Sequence, residues 1–467
     1  MRAWIARAWH AAAVSAPARS EDGDDTPRLV AVHAIFRHGA RTPVYADVPG
    51  LERVTWPACS AASARDFSLA LDPGEPALRV RDVVVAPCPV RLHHLLDTSR
   101  PPPRAPVEIV GQWATVLGGG CRGGQLTAVG CAQAHELGAR LRAAYGNGRL
   151  VADVWDERAM SVRSTCVPRC VASAQYVLRG LFPRQVEPVP VGVGEFGEET
   201  LFPNGRRSER LAHILADGRA SWERSPPEEA VRVRELVRRT MPADAFRAYG
   251  MDRCNFVRMR DVLVALDVHA LPLPHGLGDG GVLERVDALA TEQIVRMMRG
   301  GGGPGGTGAD LSHEAHRHSL GVFVSQLLAQ MDERVRGENT TALRLYSAHD
   351  TTLLPLLMIL GAFEPPHNRW PGFCSCLALE LHDLVPGAAR PVGEKRRGEE
   401  EFGVRVMYNF EDITARVPGC PRFGPCPLPA FREAVRLSLL GADGHTVHDP
   451  HGGSRDPMLV GGGMSQF

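Results

Sequence analysis

Two apolar runs with strand character stand far apart in the chain. Leu29 to Phe36 reads Leu-Val-Ala-Val-His-Ala-Ile-Phe, and Leu343 to Ala348 reads Leu-Arg-Leu-Tyr-Ser-Ala. Their length and their β-branched and aromatic content predict strands. The first gives way to the polar string Arg37-His38-Gly39-Ala40-Arg41-Thr42-Pro43. The second gives way to His349-Asp350, and Thr351 to Gly361 then forms an apolar stretch long enough for a buried helix. A short strand within Ala152 to Ser164 leads into Arg163 to Arg169, and Val171 to Phe182 reads as a helix with an apolar face. Cys131 to Tyr145 is a further helix, with Ala132, Leu137, Leu141 and Ala144 on one side. Strand, polar corner, helix is the βα unit whose corner lies at the carboxyl edge of a sheet, where open α/β sheets bind ligands. The pattern therefore predicts an α/β fold.

Elsewhere the pattern marks connections. Residues 48–116 are proline-rich and irregular. Glu228 to Val295 is charged and mostly helical in period, Gly300 to Gly308 has linker composition, and Ser312 to Val335 resumes a helix. Residues 441–467 are polar and glycine-rich, which predicts a disordered tail. The first 20 residues hold Arg2, Arg7 and Arg19 and no acid, the profile of a mitochondrial transit peptide, with 1–27 as peptide and spacer. Arg7 and His10 interrupt the apolar core that a secretory signal, the alternative, requires.

Composition adds limits. An apolar fraction of 44% over 467 residues suffices for one large core or two domains. Formal net charge is zero, so neither nucleic acid nor an anionic membrane surface is indicated as partner, and positive charge for an anion has to be local. No run approaches the ~20 apolar residues of a membrane span. The eleven cysteines form no Cys-x-x-Cys pair; Cys420 and Cys426 flank prolines and can bridge or stay reduced, and the scatter fits a reducing compartment better than the secretory route.

The candidate chemistry lies in the polar corners. Arg37 and Arg41 are planar donor forks that fit phosphate oxygens two at a time, and neutral His38 can attack as a nucleophile. Arg169 opens a helix, where backbone N–H groups favour anions. Each element alone has an ordinary reading: a solvated arginine, a core histidine at His349, an N-cap at Asp350.

Together the segments resemble the histidine phosphatase superfamily in its acid phosphatase branch. Its Arg-His-Gly-x-Arg-x-Pro signature stands at Arg37 to Pro43, its Arg-Ser-Thr-x-x-x-Arg segment at Arg163 to Arg169, its His-Asp pair at His349-Asp350, and its Gln-Leu-Thr-x-x-Gly turn at Gln125 to Gly130. Cys166 and Pro168 replace the acids many members carry, as in the lysophosphatidic acid branch of the family. The resemblance implies a phosphoglycerate-mutase-like three-layer α/β/α core, built from 28–195 and 311–440, with a mostly α-helical cap and linker over 196–310. It implies hydrolysis of a phosphate monoester through a phosphohistidine. His38 is then the nucleophile and Asp350 the proton donor, with Arg37, Arg41, Arg169 and His349 on the phosphoryl group and no metal or cofactor. Lysophosphatidic acid is the implied substrate, a phosphosugar or inositol phosphate the alternative, and an inactive phosphate-binding relative the reading from another class. A monomer is favoured. The scheme carries a conflict, because a carboxyl group among arginines loses its proton easily whereas a donor must hold one.

Overall fold

The computed structural model describes residues 27–440 apart from 57–58, 60–77, 81–82, 105–106, 113, 275–276, 279–280, 303–309, 366 and 386–397. Residues 1–26 of the expected transit peptide, most of the glycine-rich linker and the tail from 441 lie outside the described residues.

One sheet holds β1 (Arg28–Arg37), β2 (Val90–His94), β3 (Met160–Ser164), β4 (Val189–Val193), β5 (Leu343–Ala348), β6 (Cys376–Asp383), β7 (Phe402–Tyr408), β8 (Glu411–Asp412) and β9 (Cys426–Pro427). The order is β8-β7-β6-β1-β5-β3-β4-β2, with β9 also on β7. Strands β1, β5, β3, β4 and β2 run parallel, and β6 joins β1 antiparallel. Parallel strands covered on both faces read as continuous apolar runs, which is why β1 shows little alternation. Val32, Ala34 and Phe36 face one helix layer; Ala31 and Ile35 face the other.

The helices are α1 (Ala128–Tyr145), α2 (Pro168–Leu181), α3 (Glu209–Arg224), α4 (Glu228–Thr240), α5 (Phe256–Val268), α6 (Val282–Met298), α7 (Ser312–Val335), α8 (Asp350–Ile359) and α9 (Leu428–Leu440), with short turns of helix between them. Helices α1 and α2 share a core with the face of Val32 and Phe36. On the other face α7, α8 and α9 join the interior of α3–α6 in one continuous apolar cluster that includes Trp222, Phe256, Leu263 and Phe323. The α/β fold is as the sequence pattern predicts, and its helix layers on both faces of the sheet are as the family resemblance implies. No helix among the described residues is long and apolar enough to cross a membrane.

Strand β5 and helix α7 form with the bounds their apolar patterns predict. Helix α2 begins earlier than expected, at Pro168. Val167 stays extended (φ −86°, ψ 123°) as the N-cap, and proline takes the first helical position, where its missing N–H costs nothing. Cys59–Cys121 and Cys420–Cys426 are disulfides, and the other seven cysteines are buried outside any disulfide. The first pair lies 62 residues apart and is joined because residue 59 bridges Thr127 beside α1, a proximity that spacing does not reveal.

Candidate active site

Three adjacent parallel strands deliver the polar corners to one sheet edge. The register pairs Arg37 with Ala348 and Ser164 with Ser347, so His38, His349 and the start of α2 emerge side by side. The rings of His38 and His349 lie 5.6 Å apart, edge to face. Backbone bonds lock the corner: His38 N–H donates to the Ala348 carbonyl at 3.0 Å and Cys374 N–H to the His38 carbonyl at 3.1 Å. Gly39 N–H donates to Ser173 Oγ at 3.0 Å, and that hydroxyl donates to the Arg169 carbonyl at 2.7 Å, tying the corner to α2.

The Gln125–Gly130 turn supports the corner from below. Thr127 caps α1, accepting from Gly130 N–H and donating to the Ala40 carbonyl at 3.1 Å. A Cβ on Gly130 would sit 2.0 Å from the Ala40 oxygen, and one on Gly39 would sit 2.2 Å from the Gly130 oxygen. Only glycine at both positions allows this approach.

His38 Nδ1 lies 2.9 Å from the Gly39 carbonyl. A carbonyl oxygen only accepts, so Nδ1 carries the proton and Nε2 keeps its lone pair. Burial, then Arg169, Arg37 and Arg41, hold the His38 pKa well below the usual imidazole value, and burial and Arg169 do the same for His349. Both rings are neutral. His349 Nε2 lies 3.1 Å from Thr165 Oγ1.

A cleft of about 960 Å³, open to solvent, is lined by His38, Arg41, Arg169, His349 and Asp350. Arg169 is 5% exposed, and among the described residues its guanidinium has no hydrogen-bond or ion-pair partner. Burial and the nearby Arg41 push it down to about 10, so it still carries its charge. An unpaired buried cation facing a cleft needs an anion. Arg41 is held by Asp261 Oδ1 at 2.7 Å and by the Thr42 carbonyl. Asp261 lies on α5, and its other oxygen accepts the N–H groups of Val44 and Tyr45 at 2.8 and 3.2 Å.

Arg37 does not line the cleft. Its Nη2 pairs with Asp350 Oδ2 at 2.7 Å, its Nη1 donates to the Pro371 carbonyl at 2.7 Å, and its Cζ lies 4.0 Å from the centre of the Phe373 ring. Trp370 Nε1–H donates to the same Asp350 oxygen at 2.9 Å, and Thr351 N–H to the other at 2.8 Å. Burial alone would raise the Asp350 carboxyl; Arg37, the Trp370 N–H, Arg41 and Arg260 outweigh it and hold the group below the ordinary carboxylate value. The residue expected to donate a proton is ionised in the free protein.

The sequence matches the histidine phosphatase superfamily (branch 2) over residues 28–200 and 295–409. The chain belongs to this family. Among curated relatives, lysophosphatidic acid phosphatase type 6 of Bos taurus is 27% identical over 426 residues, covering 89% of this chain and 84% of the relative. Testicular acid phosphatase of Mus musculus is 27% identical over 354 residues, covering 72% and 76%. Among solved structures, a multiple inositol polyphosphate phosphatase of Bifidobacterium longum aligns over 92% of this chain and 95% of its own at a TM-score of 0.51 and 11% identity, a likeness of fold.

As a histidine phosphatase, the protein presents residues that its sequence did not single out. Asp261, Trp370, Arg260, Thr165 and Ser173 all touch the machinery or line the cleft. Thr165 lies within the Arg163–Arg169 signature, and Ser173 follows Arg169 by one helical turn, so both carried a signal. Arg163 itself holds Glu199 at 2.5 Å and Thr200 Oγ1 at 2.8 Å, fixing the segment that lines the cleft with Phe196 and Phe202.

Proposed function

We propose that this protein removes phosphate from lysophosphatidic acid through a phosphohistidine at His38. The observation that carries the phosphoryl chemistry is the neutral His38 ring beside the unpartnered Arg169. His38 Nε2 attacks phosphorus as the bond to the leaving oxygen breaks. Arg169 and Arg41 hold the equatorial oxygens, and His349 adds a donor. The bound phosphate resolves the proton conflict. A dianion held by Arg169 and Arg41 adds negative charge beside Asp350, offsets the arginines that keep its carboxyl ionised, and so raises the Asp350 pKa. Asp350 then protonates the leaving alcohol. Its carboxylate next takes a proton from the water that attacks phosphorus and breaks the P–N bond.

The leaving group is supported by the cleft wall. Phe196 and Phe202 line it and pack on Ile109, Cys166, Val167 and Cys170, so apolar residues occupy the region where many family members carry acids. Val44, Val257 and Pro203 extend this surface, which suits an acyl chain. The likeness to a type 6 lysophosphatidic acid phosphatase supports the same reading. Arg206 and Arg260 in the lining favour a second reading, an inositol or sugar phosphate. Phosphate release from lysophosphatidic acid, glucose 6-phosphate and inositol phosphates separates them. The proposal expects kcat/KM for the lipid to lead by at least about tenfold; equal or better turnover of the polyol phosphates contradicts it.

A further inference from the structure

One charged group in the cleft, Arg260, acts on Asp350 through its field and still keeps donors to spare. Arg260 lies on α5, is 5% exposed, and lines the cleft beside Asp350 and Trp370. Its Nε donates to Asp287 Oδ1 on α6 at 2.6 Å. Its Cζ lies 4.3 Å from the centre of the Trp370 ring. Among the described residues neither terminal nitrogen has a hydrogen-bond partner. The guanidinium is therefore anchored at its root and stacked on one face, with two nitrogens free to serve a ligand. Such anchoring removes most of the entropy cost of binding, since the fork is already oriented.

Trp370 fixes where this fork lies relative to the reaction. Its N–H edge holds the carboxylate of Asp350 at 2.9 Å, while Arg260 lies against the same ring. The general acid and the Arg260 fork thus share one indole. Arg169, by contrast, stands at the start of α2 with the phosphoryl side of the site. A leaving oxygen that takes its proton from Asp350 brings the next carbons of the alcohol toward Arg260.

We propose that Arg260 is a specificity-determining residue that donates its terminal N–H pair to an acceptor oxygen on the alcohol carbons adjacent to the scissile C–O bond. The chemical class it selects is a phosphate monoester of a vicinally oxygenated alcohol, as against a plain alkyl phosphate. In a lysophospholipid that acceptor is the free glycerol hydroxyl or the ester oxygen; in a polyphosphorylated polyol it is a second phosphate. The inference rests on the reading of the cleft as a phosphomonoesterase site with Asp350 on the leaving-group side. It requires no acyl chain.

The test uses short substrates with the full-length protein. Glycerol 3-phosphate and n-propyl phosphate differ by two hydroxyls, and ethane-1,2-diyl bisphosphate supplies an anion instead. A hydrogen bond from a charged donor predicts that wild type favours glycerol 3-phosphate over propyl phosphate in kcat/KM by about 10- to 100-fold. In Arg260→Met that ratio falls to within about threefold of unity, and in Arg260→Lys, which keeps charge but loses the fork, it falls partway. General damage to the site lowers both substrates together and cancels in the ratio. A larger preference for the bisphosphate, lost in the same variants, identifies a second phosphate as the acceptor. Equal wild-type rates on glycerol 3-phosphate, the bisphosphate and propyl phosphate overturn the inference even if no variant folds, as does a preference that survives Arg260→Met. Failure of wild type to release phosphate from any of them fells the phosphatase reading itself, and this inference with it.

Discussion

Replacing Trp370 by phenylalanine removes one N–H donor from Asp350 and keeps a ring beneath Arg260. The lost bond is 2.9 Å long, to a carboxylate oxygen that it shares with Arg37. Hydrogen bonds to charged groups contribute ~1.5–3 kcal/mol, and 1.36 kcal/mol corresponds to one pKa unit. Because Arg37 remains near the same oxygen, the lower end applies, about one unit. The sign follows from which form is stabilised. The indole N–H favours the carboxylate, so its loss raises the Asp350 pKa. In the substrate complex Asp350 has to be protonated, so the alkaline limb of kcat reports its ionisation there. Trp370→Phe is expected to move that limb upward by about one pH unit with an alkyl phosphate, whose leaving group needs a proton. With p-nitrophenyl phosphate, whose leaving group departs as a stable anion, the movement shrinks. Initial rates at saturating substrate from acid to neutral pH measure both. An alkaline limb that stays in place, or moves down, refutes the assignment of Asp350 as the acid held by Trp370.

Two further outcomes concern the frame. Gly130→Ala adds helix propensity worth ~1 kcal/mol, yet its Cβ would meet the Ala40 oxygen at 2.0 Å. The clash wins, and thermal unfolding should show a net loss of roughly 1–3 kcal/mol together with lower turnover of every substrate; a raised melting temperature contradicts the close-approach argument. His33, fully buried and pushed down to about 3 by burial and Arg344, stays neutral in the fold while the unfolded chain protonates near 6.5. Its contribution is intact above about pH 6.5 and is lost progressively as pH falls toward 3, amounting to roughly 2–3 kcal/mol at pH 4.5. His33→Gln should narrow the difference between denaturant stabilities at pH 7 and pH 4.5 by about that amount; an unchanged difference excludes His33 as a source of acid sensitivity.

The parts of this site legible in the sequence are those whose meaning is local. Arg37 to Pro43 and His349-Asp350 each follow an uninterrupted apolar run, so strand and corner can be placed before the fold is known. Pro168 stands immediately before Arg169, and the first turn of α2 accommodates it: proline at the helix start preorganises the turn that carries the arginine. What stayed hidden depends on contacts between distant segments. Asp261 reads as one more acid in a charged helical stretch, and only the packing of α5 against the corner makes it the partner of Arg41. Trp370 and Arg260 lie 110 residues apart in sequence, one in an irregular loop and one on a helix, and nothing in either neighbourhood announces their contact. The ionisation of Asp350 was foreseeable in direction, since arginines surround it in any version of the fold. The latch through Arg37 was not, because it depends on the loop carrying Pro371 and Phe373.

The most direct test of the central claim is acid- and base-quench trapping of the enzyme during turnover of a radiolabelled phosphate monoester. The account predicts a phosphoryl group that survives base, is lost in acid, maps to Nε2 of His38 and is missing in His38→Asn. Steady turnover by wild type with no trapped label, or label on another side chain, contradicts it.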